Sequence, residues 1–379
     1  MGPGSDASGL RSLDSLIESS VSLLQQLQVA LAEIHSNPNT PIPDAGEDKN
    51  SSVDAIALAR DAASLVRAHS TKLSLLMINE PFSSKAIISV LRDLASGPIP
   101  GLASSLQQCK PEYYTAVFRK ELAWRCRSVL LELAQLLQKI PTNGQALSGH
   151  REGFGPDGKG TIALTGVTWA TCDDVVKLCN MGVGGFFAQK VQEWRDVLRD
   201  TMEELKEWGD EEAEADDDDD VDSLADKLEE SHISSTQDML DDLMNSTSAI
   251  PKSDPESIRP RLETTLKRLR LVTLLYQAII KRRIKKVPSL PVAKDASGPA
   301  ASIANRLDDV ARVLKTIPDR FGDLACAFYE LESEEIDSLM EQCSLDAFAA
   351  GEILNESWGG GRDEFSEWVE KFQEQVKAE

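Results

Sequence analysis

The residues best suited to chemistry in this chain are few and scattered. Four histidines, His35, His69, His150 and His232, could hold zinc or relay a proton. None stands in HxxxH or HExxH spacing with another, the arrangement that sets two imidazoles on one helix face, so the sequence predicts no zinc site. Six cysteines, Cys109, Cys126, Cys172, Cys179, Cys326 and Cys343, form no CxxC pair and no disulfide-like framework. They are expected to be core thiols. Cys172 and Cys179 lie one heptad apart and would share a helix face. No GxSxG elbow and no Cys–His pairing is legible. The many carboxylates fall on solvated helix faces, where nothing raises a pKa toward general acid–base work.

Two glycine patterns imitate phosphate loops. Gly153, Gly155 and Gly158 match GxGxxG, and 153–160 falls one residue short of GxxxxGK[ST], because Gly160 stands where Ser or Thr would hold magnesium. Such a loop needs a strand before it and a helix whose first amides face the phosphate. Here a long amphipathic helix precedes, and Pro156 removes an amide from the cradle. The stretch reads as a connecting loop, and no cofactor is expected.

What remains is charge. Between Gly209 and Asp242 there are sixteen Asp or Glu against one Lys, a net of −15 out of −23 for the chain. Its densest part is Asp216, Asp217, Asp218, Asp219 and Asp220. A block of like charges repels itself and stays solvated, which suits a linker or an interaction tail. Further on, Met239, Leu240, Leu243 and Met244 make a small apolar face on an acidic background, a pattern that docks into a groove on a partner or on its own protein. The opposite sign dominates 259–286, with ten Lys or Arg and one Glu. It ends in Lys281, Arg282, Arg283, Ile284, Lys285 and Lys286. These cations could complement a helix C-terminus, act as a nuclear localisation signal, or dock the acidic block. Nucleic acid is a poor fit for so anionic a chain whose basic stretch has Tyr276 as its one aromatic.

The elements that must position these groups are helices. Apolar residues make up 41% and charged residues 27%, as in soluble globular proteins, but aromatics are only 5%, so the cores must be built from Leu, Ile, Val and Ala. No apolar run approaches the roughly 18 residues of a membrane span, and no signal peptide is expected at the N-terminus. In 8–36, Leu13, Leu16, Ser20, Leu23, Leu27, Ala30 and Ile34 alternate steps of three and four, a heptad seam widened by Ile17, Leu24 and Leu31. A second helix should run from the possible caps Asn50, Ser51 and Ser52 to about Ile78 and stop at Glu80-Pro81. Ser83–Ala95 is a shorter helix, Gly97, Pro98, Pro100 and Gly101 punctuate, and 102–109 is a short turn. Pro111 opens a long helix to Ile140. Helices over 165–180, capped by Thr165 or Thr168, and over 186–208 should be separated by Gly182, Gly184 and Gly185. Ser253-Asp254-Pro255-Glu256 reads as a capping box ahead of a helix from Ile258 to Val287. Three more are expected: 300–331 with a kink at Pro318, 334–355, and 363–378.

The run T-G-V-T-W-A-T-C-D-D-V, then V-L-R-D-T-M-E-E-L-K-E and an acid-rich stretch, resembles the GCIP family of cyclin-D-interacting proteins. Trp169, Cys172, Asp200, Glu203, Glu204, Leu205 and Glu207 carry the resemblance, over roughly 112–230. It implies an all-α protein of nucleus and cytoplasm that acts through protein contacts. The implied partners are D-type cyclins and helix-loop-helix transcription factors.

The sequence therefore predicts an all-α fold of two antiparallel helical bundles, vinculin-like by architectural analogy. The N-terminal bundle spans 6–208, an acidic linker 209–222 and the C-terminal bundle 223–379. The expected function is non-enzymatic regulation through protein–protein contacts. The expected partner-binding residues are Asp216 to Asp220, Met239, Leu240, Leu243, Lys281, Arg282, Arg283, Lys285 and Lys286. The alternative is an acidic escort for a basic protein such as a ribosomal protein or histone, in which the acid block itself binds.

Overall fold

The computed structural model describes residues 3–40, 54–147, 161–210, 249–291 and 303–378. Among these residues the fold is all-α, with no strand. The chain divides into two compact units, 1–186 with 287–308, and 187–286 with 309–379.

Unit 1 is built from α1 (Pro3–Ser36), α2 (Ala55–Ile78), α3 (Ser84–Ser96), α4 (Pro98–Gln108), the single turn α5 (Pro111–Tyr114), α6 (Ala116–Leu137) and the first half of α7 (Thr161–Asp210). Helix α1 packs chiefly on α6 and α3, and α2 on α4. The seam of α1 is centred one position away from the predicted heptad. Leu13, Ile17, Ser20, Leu24 and Leu31 are buried, whereas Leu16, Leu23, Leu27 and Ile34 are half-buried and Ala30 is exposed. Helix α2 is capped not by Asn50, Ser51 or Ser52, which lie outside the described residues, but by Asp54, whose carboxylate accepts from Ile56 N at 2.9 Å. Tyr114 Oη donates to the same carboxylate at 3.2 Å. The prolines after Gly97 start a helix rather than a loop. Pro98 sits in the first turn of α4, where its missing N–H has no partner to lose.

The long helix predicted from Pro111 breaks at Thr115, a buried residue with φ 75. Thr115 caps α6 by accepting from Phe118 N at 3.1 Å. The next donors, Ala116 N and Val117 N, reach the Asp308 carboxylate at 2.7 and 3.0 Å. An acid nearly 200 residues away in sequence thus completes the helix start, where the dipole favours negative charge. Arg119, fully buried, donates through Nη1 to the carbonyls of Pro38 at 2.6 Å and Thr40 at 3.1 Å, tying the end of α1 to α6.

The two predicted helices are present and meet at a kink at Gly182 within α7. Only Gly182, at φ 63 and ψ −177, leaves helical geometry inside α7. That backbone region is closed to residues with a Cβ, which is why a single glycine breaks the run. Thr165 and Thr168 lie inside the helix, not at its cap, and Thr168 Oγ1 donates back to Leu164 O at 2.9 Å.

Unit 2 holds the rest of α7, α8 (Ile258–Arg282) with a 3-10 turn Ile284–Lys286, the main part of α9 (Ile303–Tyr329), α10 (Ser333–Ile353) and α11 (Glu364–Ala378). Helix α8 packs on α10 and α11, and α10 packs on α11. Helix α8 begins at Ile258 as predicted, but Asp254 caps it in place of the Ser253–Glu256 box. Ser257 is left-handed at φ 55, and Asp254 accepts from Ile258 N at 2.6 Å and Arg259 N at 3.0 Å. Near the end of α7 a Cβ on Gly209 would run into Leu262 Cδ2, so glycine permits this close approach to α8.

Pro318 lies inside α9. It cannot donate to the carbonyl four residues back, Leu314 O. The hydroxyl of Tyr276, wholly buried on α8, takes that carbonyl at 2.6 Å. Burial pushes the Tyr276 phenol well above its usual range, so it stays a donor. Tyr276→Phe is expected to strand this acceptor and destabilise the protein by about 1–3 kcal/mol. Urea unfolding of the full chain checks it, as a lower midpoint at unchanged slope.

Candidate partner interface

The core of α6 is formed by Phe118, Leu122, Cys126, Val129, Leu133 and their neighbours, all buried. At 100° per residue these positions cluster on one side. Trp124 and Leu131, one heptad apart, project on the opposite side and are 50% and 44% exposed. Lys120 and Arg127 lie exposed on the same outward face. The result is an apolar ridge flanked by cations. Large indoles rarely sit half in water without reason, and they are enriched where one protein grips another. The signal was present: Trp124 and Leu131 are a heptad pair out of phase with Leu122, Val129 and Leu133.

The predicted partner-binding residues meet different fates. Asp216 to Asp220, Met239, Leu240 and Leu243 lie outside the described residues. Lys281, Lys285 and Lys286 are exposed. Arg282 is half-buried and donates to Glu364 O at 3.3 Å. Arg283 must be withdrawn from any partner-facing set, because its side chain is 1% exposed and fully engaged inside unit 2. Its Nη1 and Nη2 grip both oxygens of Asp363 at 2.6 and 2.7 Å. Nε donates to Leu354 O at 2.8 Å and Nη2 to Asn355 O at 3.1 Å, satisfying carbonyls at the end of α10. The guanidinium lies over the Phe365 ring, 4.3 Å from its centroid. Asp363 also caps α11 by accepting from Phe365 N at 3.0 Å. The Arg283 hydrogen bond holds the Asp363 carboxyl at about 2, below its ordinary 3.8.

The rest of α8 keeps a solvent-facing basic stripe of Lys267, Arg270 and Lys281, with Leu274 exposed among them. Arg261 is held by Asp337 through two bonds of 2.9 Å.

The thiols offer little reactivity. Five of the six cysteines are buried, and Cys326 is exposed, contrary to the expectation for it. Burial pushes Cys172, Cys179 and Cys343 up to about 12, and Cys109 and Cys126 also upward. At neutral pH they are protonated packing groups.

These features define an all-α protein with a half-exposed apolar ridge on α6. No helix among the described residues is long and apolar enough to cross a membrane. Residues 59–211 match the family model described as Grap2 and cyclin-D-interacting, N-terminal. The match runs from α2 through the end of α7 and includes the α6 ridge. It agrees with the resemblance read from the Trp169 and Asp200–Glu207 segments. Within it, Trp169 lies under the Arg67 guanidinium at 5.4 Å, and Arg67 in turn pairs with Asp173 at 3.0 Å. Cys172 and Leu205 are buried, while Asp200, Glu203, Glu204 and Glu207 face solvent. The residues that carry the resemblance therefore pack the helix and charge its outer side. An uncharacterized protein of Schizosaccharomyces pombe is 21% identical over 318 residues, covering 84% of each chain.

Proposed function

We propose that this chain is a non-enzymatic regulator that works by binding protein partners, and that the outward ridge of α6 is its principal grip. The observation that carries this reading is the half-exposed Trp124, paired with Leu131 at heptad spacing within the part of the chain that matches the cyclin-D-interacting family model. A D-type cyclin is the partner we assign, from the family's description. Trp124 and Leu131 would enter an apolar groove of that partner, and Lys120 and Arg127 would meet acidic groups at its rim. Aromatic anchors supply most of the energy in such contacts, and rim charges chiefly set orientation and on-rate.

Affinity purification with mass spectrometry tests this, comparing the full chain with its W124D/L131D form. Both residues project away from the core, so the variant should fold. D-type cyclins recovered with the full chain and absent from the variant are the expected result. Equal recovery with both forms would remove the α6 ridge from the account, and no cyclin with either would remove the partner.

A further inference from the structure

A second surface, in unit 2 and independent of the α6 ridge, has the character of an unfilled groove. Helices α8 and α10 part around a cavity of about 370 Å³. Its floor is apolar, formed by Ile336 and Met340, with Pro260 on the α8 side. Thr265, fully buried below, spends its hydroxyl on Met340 Sδ at 3.4 Å. The Arg261–Asp337 fork lies along the wall, so those charges answer each other. Arg268, two turns further along α8, is different. It lines the same cavity half-buried, and its Nε is shielded from water with no hydrogen-bond partner among the described residues. Lys267 beside it is exposed. A cleft with an apolar floor and an unanswered, partly desolvated cation fits a ligand that brings methyl groups and a carboxylate together.

We infer that the occupant is the chain's own segment Asp238–Met244, docked in cis. Its sequence, Asp238-Met239-Leu240-Asp241-Asp242-Leu243-Met244, supplies what the cleft lacks. The four apolar side chains match the Ile336 and Met340 floor, and Asp238, Asp241 and Asp242 match Arg268 and Lys267. The chain path agrees. The described chain resumes before Ile250, whose carbonyl accepts from Arg259 Nη2 at 3.5 Å, close to the Ser257 end of the cleft. Asp242 lies eight residue steps before Ile250, a reach of up to about 27 Å, while Ser257 to Arg268 spans only about 17 Å of helix. A tether this short gives an effective concentration on the order of millimolar. The Asp216–Asp220 run fits less well, since it brings charge without apolar groups and lies some thirty residues upstream of Ile250. The consequence is regulatory. An acidic, apolar segment of a partner can enter this cleft only by displacing the chain's own.

The test uses a fluorescently labelled synthetic peptide of residues 234–247 and the full chain. In M239S/L240S/L243S/M244S the intramolecular competitor is disabled, and this form should bind the peptide at least about tenfold more tightly than the unaltered chain. Adding R268E should abolish binding. R268Q, which keeps the side-chain stem, serves if the charge reversal disturbs folding, and should weaken binding as well. The inference fails if the quadruple variant does not bind the peptide, if both forms bind equally, or if Arg268 substitution changes nothing. Concentration-dependent dimerisation of the quadruple variant, lost with R268E, would assign the cleft to a second copy and also overturn it.

Discussion

Arg283→Ala is expected to destabilise the protein by about 3–5 kcal/mol, a large effect for one side chain. Alanine removes a guanidinium that is 1% exposed and takes donors from three acceptors. Leu354 O loses its donor at the end of α10, Asn355 O is left with Ser366 Oγ, and Asp363 loses both arms of its fork while keeping its bonds to the first turn of α11. The contact over Phe365 is also lost. The same residue holds a further link, because its carbonyl accepts from Trp358 Nε1 at 2.8 Å. Three segments of unit 2 therefore meet at one arginine: the end of α8, the end of α10 and the start of α11. Arg283→Lys keeps the charge but not the planar fork, and should recover only part of the loss.

The acid limb of the stability curve separates this ion pair from mere packing. Asp363 sits at about 2 in the fold against an ordinary 3.8. A depressed carboxyl contributes stability that is fully present above its unfolded pKa and is lost as pH falls through the folded one. The gap between the native chain and Arg283→Ala should therefore be widest near neutrality and narrow between about pH 4 and pH 2. Urea midpoints across that window measure it. A gap that does not change with pH would mean the arginine acts by volume alone.

Phe118→Ala is expected to cost a similar amount, about 3–5 kcal/mol, for a different reason. Phe118 is wholly buried on the first turn of α6 and meets Phe186 of α7 edge to face, with ring centroids 5.6 Å apart at 80°. Alanine would leave a ring-sized void bounded by other buried apolar groups, and the edge-to-face attraction would go with it. The Thr115 cap uses the Phe118 backbone N–H, not the ring, so it survives the substitution. Phe118→Leu fills most of the space and should cost clearly less. Equal losses for both replacements, read from urea denaturation, would contradict a packing origin.

The sequence made the helices and much of their inner faces legible, because a period near 3.6 survives without knowledge of partners. Leu13 and Ser20 are buried where the α1 spacing placed them. Local signals misled where geometry depends on distant groups. Asn50, Ser51 and Ser52 looked like caps, but Asp54 stands one residue before α2 and is fixed by Tyr114. Nothing in 111–140 could reveal that Asp308 caps α6. Arg283 looked like one more surface cation in a basic run, because charge can be read from a sequence and burial cannot. The single carboxylate that claims it lies 80 residues on. Trp124 was legible in principle, since its phase against the α6 core needs only counting. The predicted site residues between Asp216 and Leu243 lie outside the described residues.

The most direct test of the central claim is a titration of a purified D-type cyclin into the full chain and into its W124D/L131D form. The full chain should bind saturably and the variant at least about thirtyfold more weakly, as befits the loss of an aromatic anchor. Undiminished affinity in the variant, with its helical circular dichroism and urea midpoint unchanged, would contradict it.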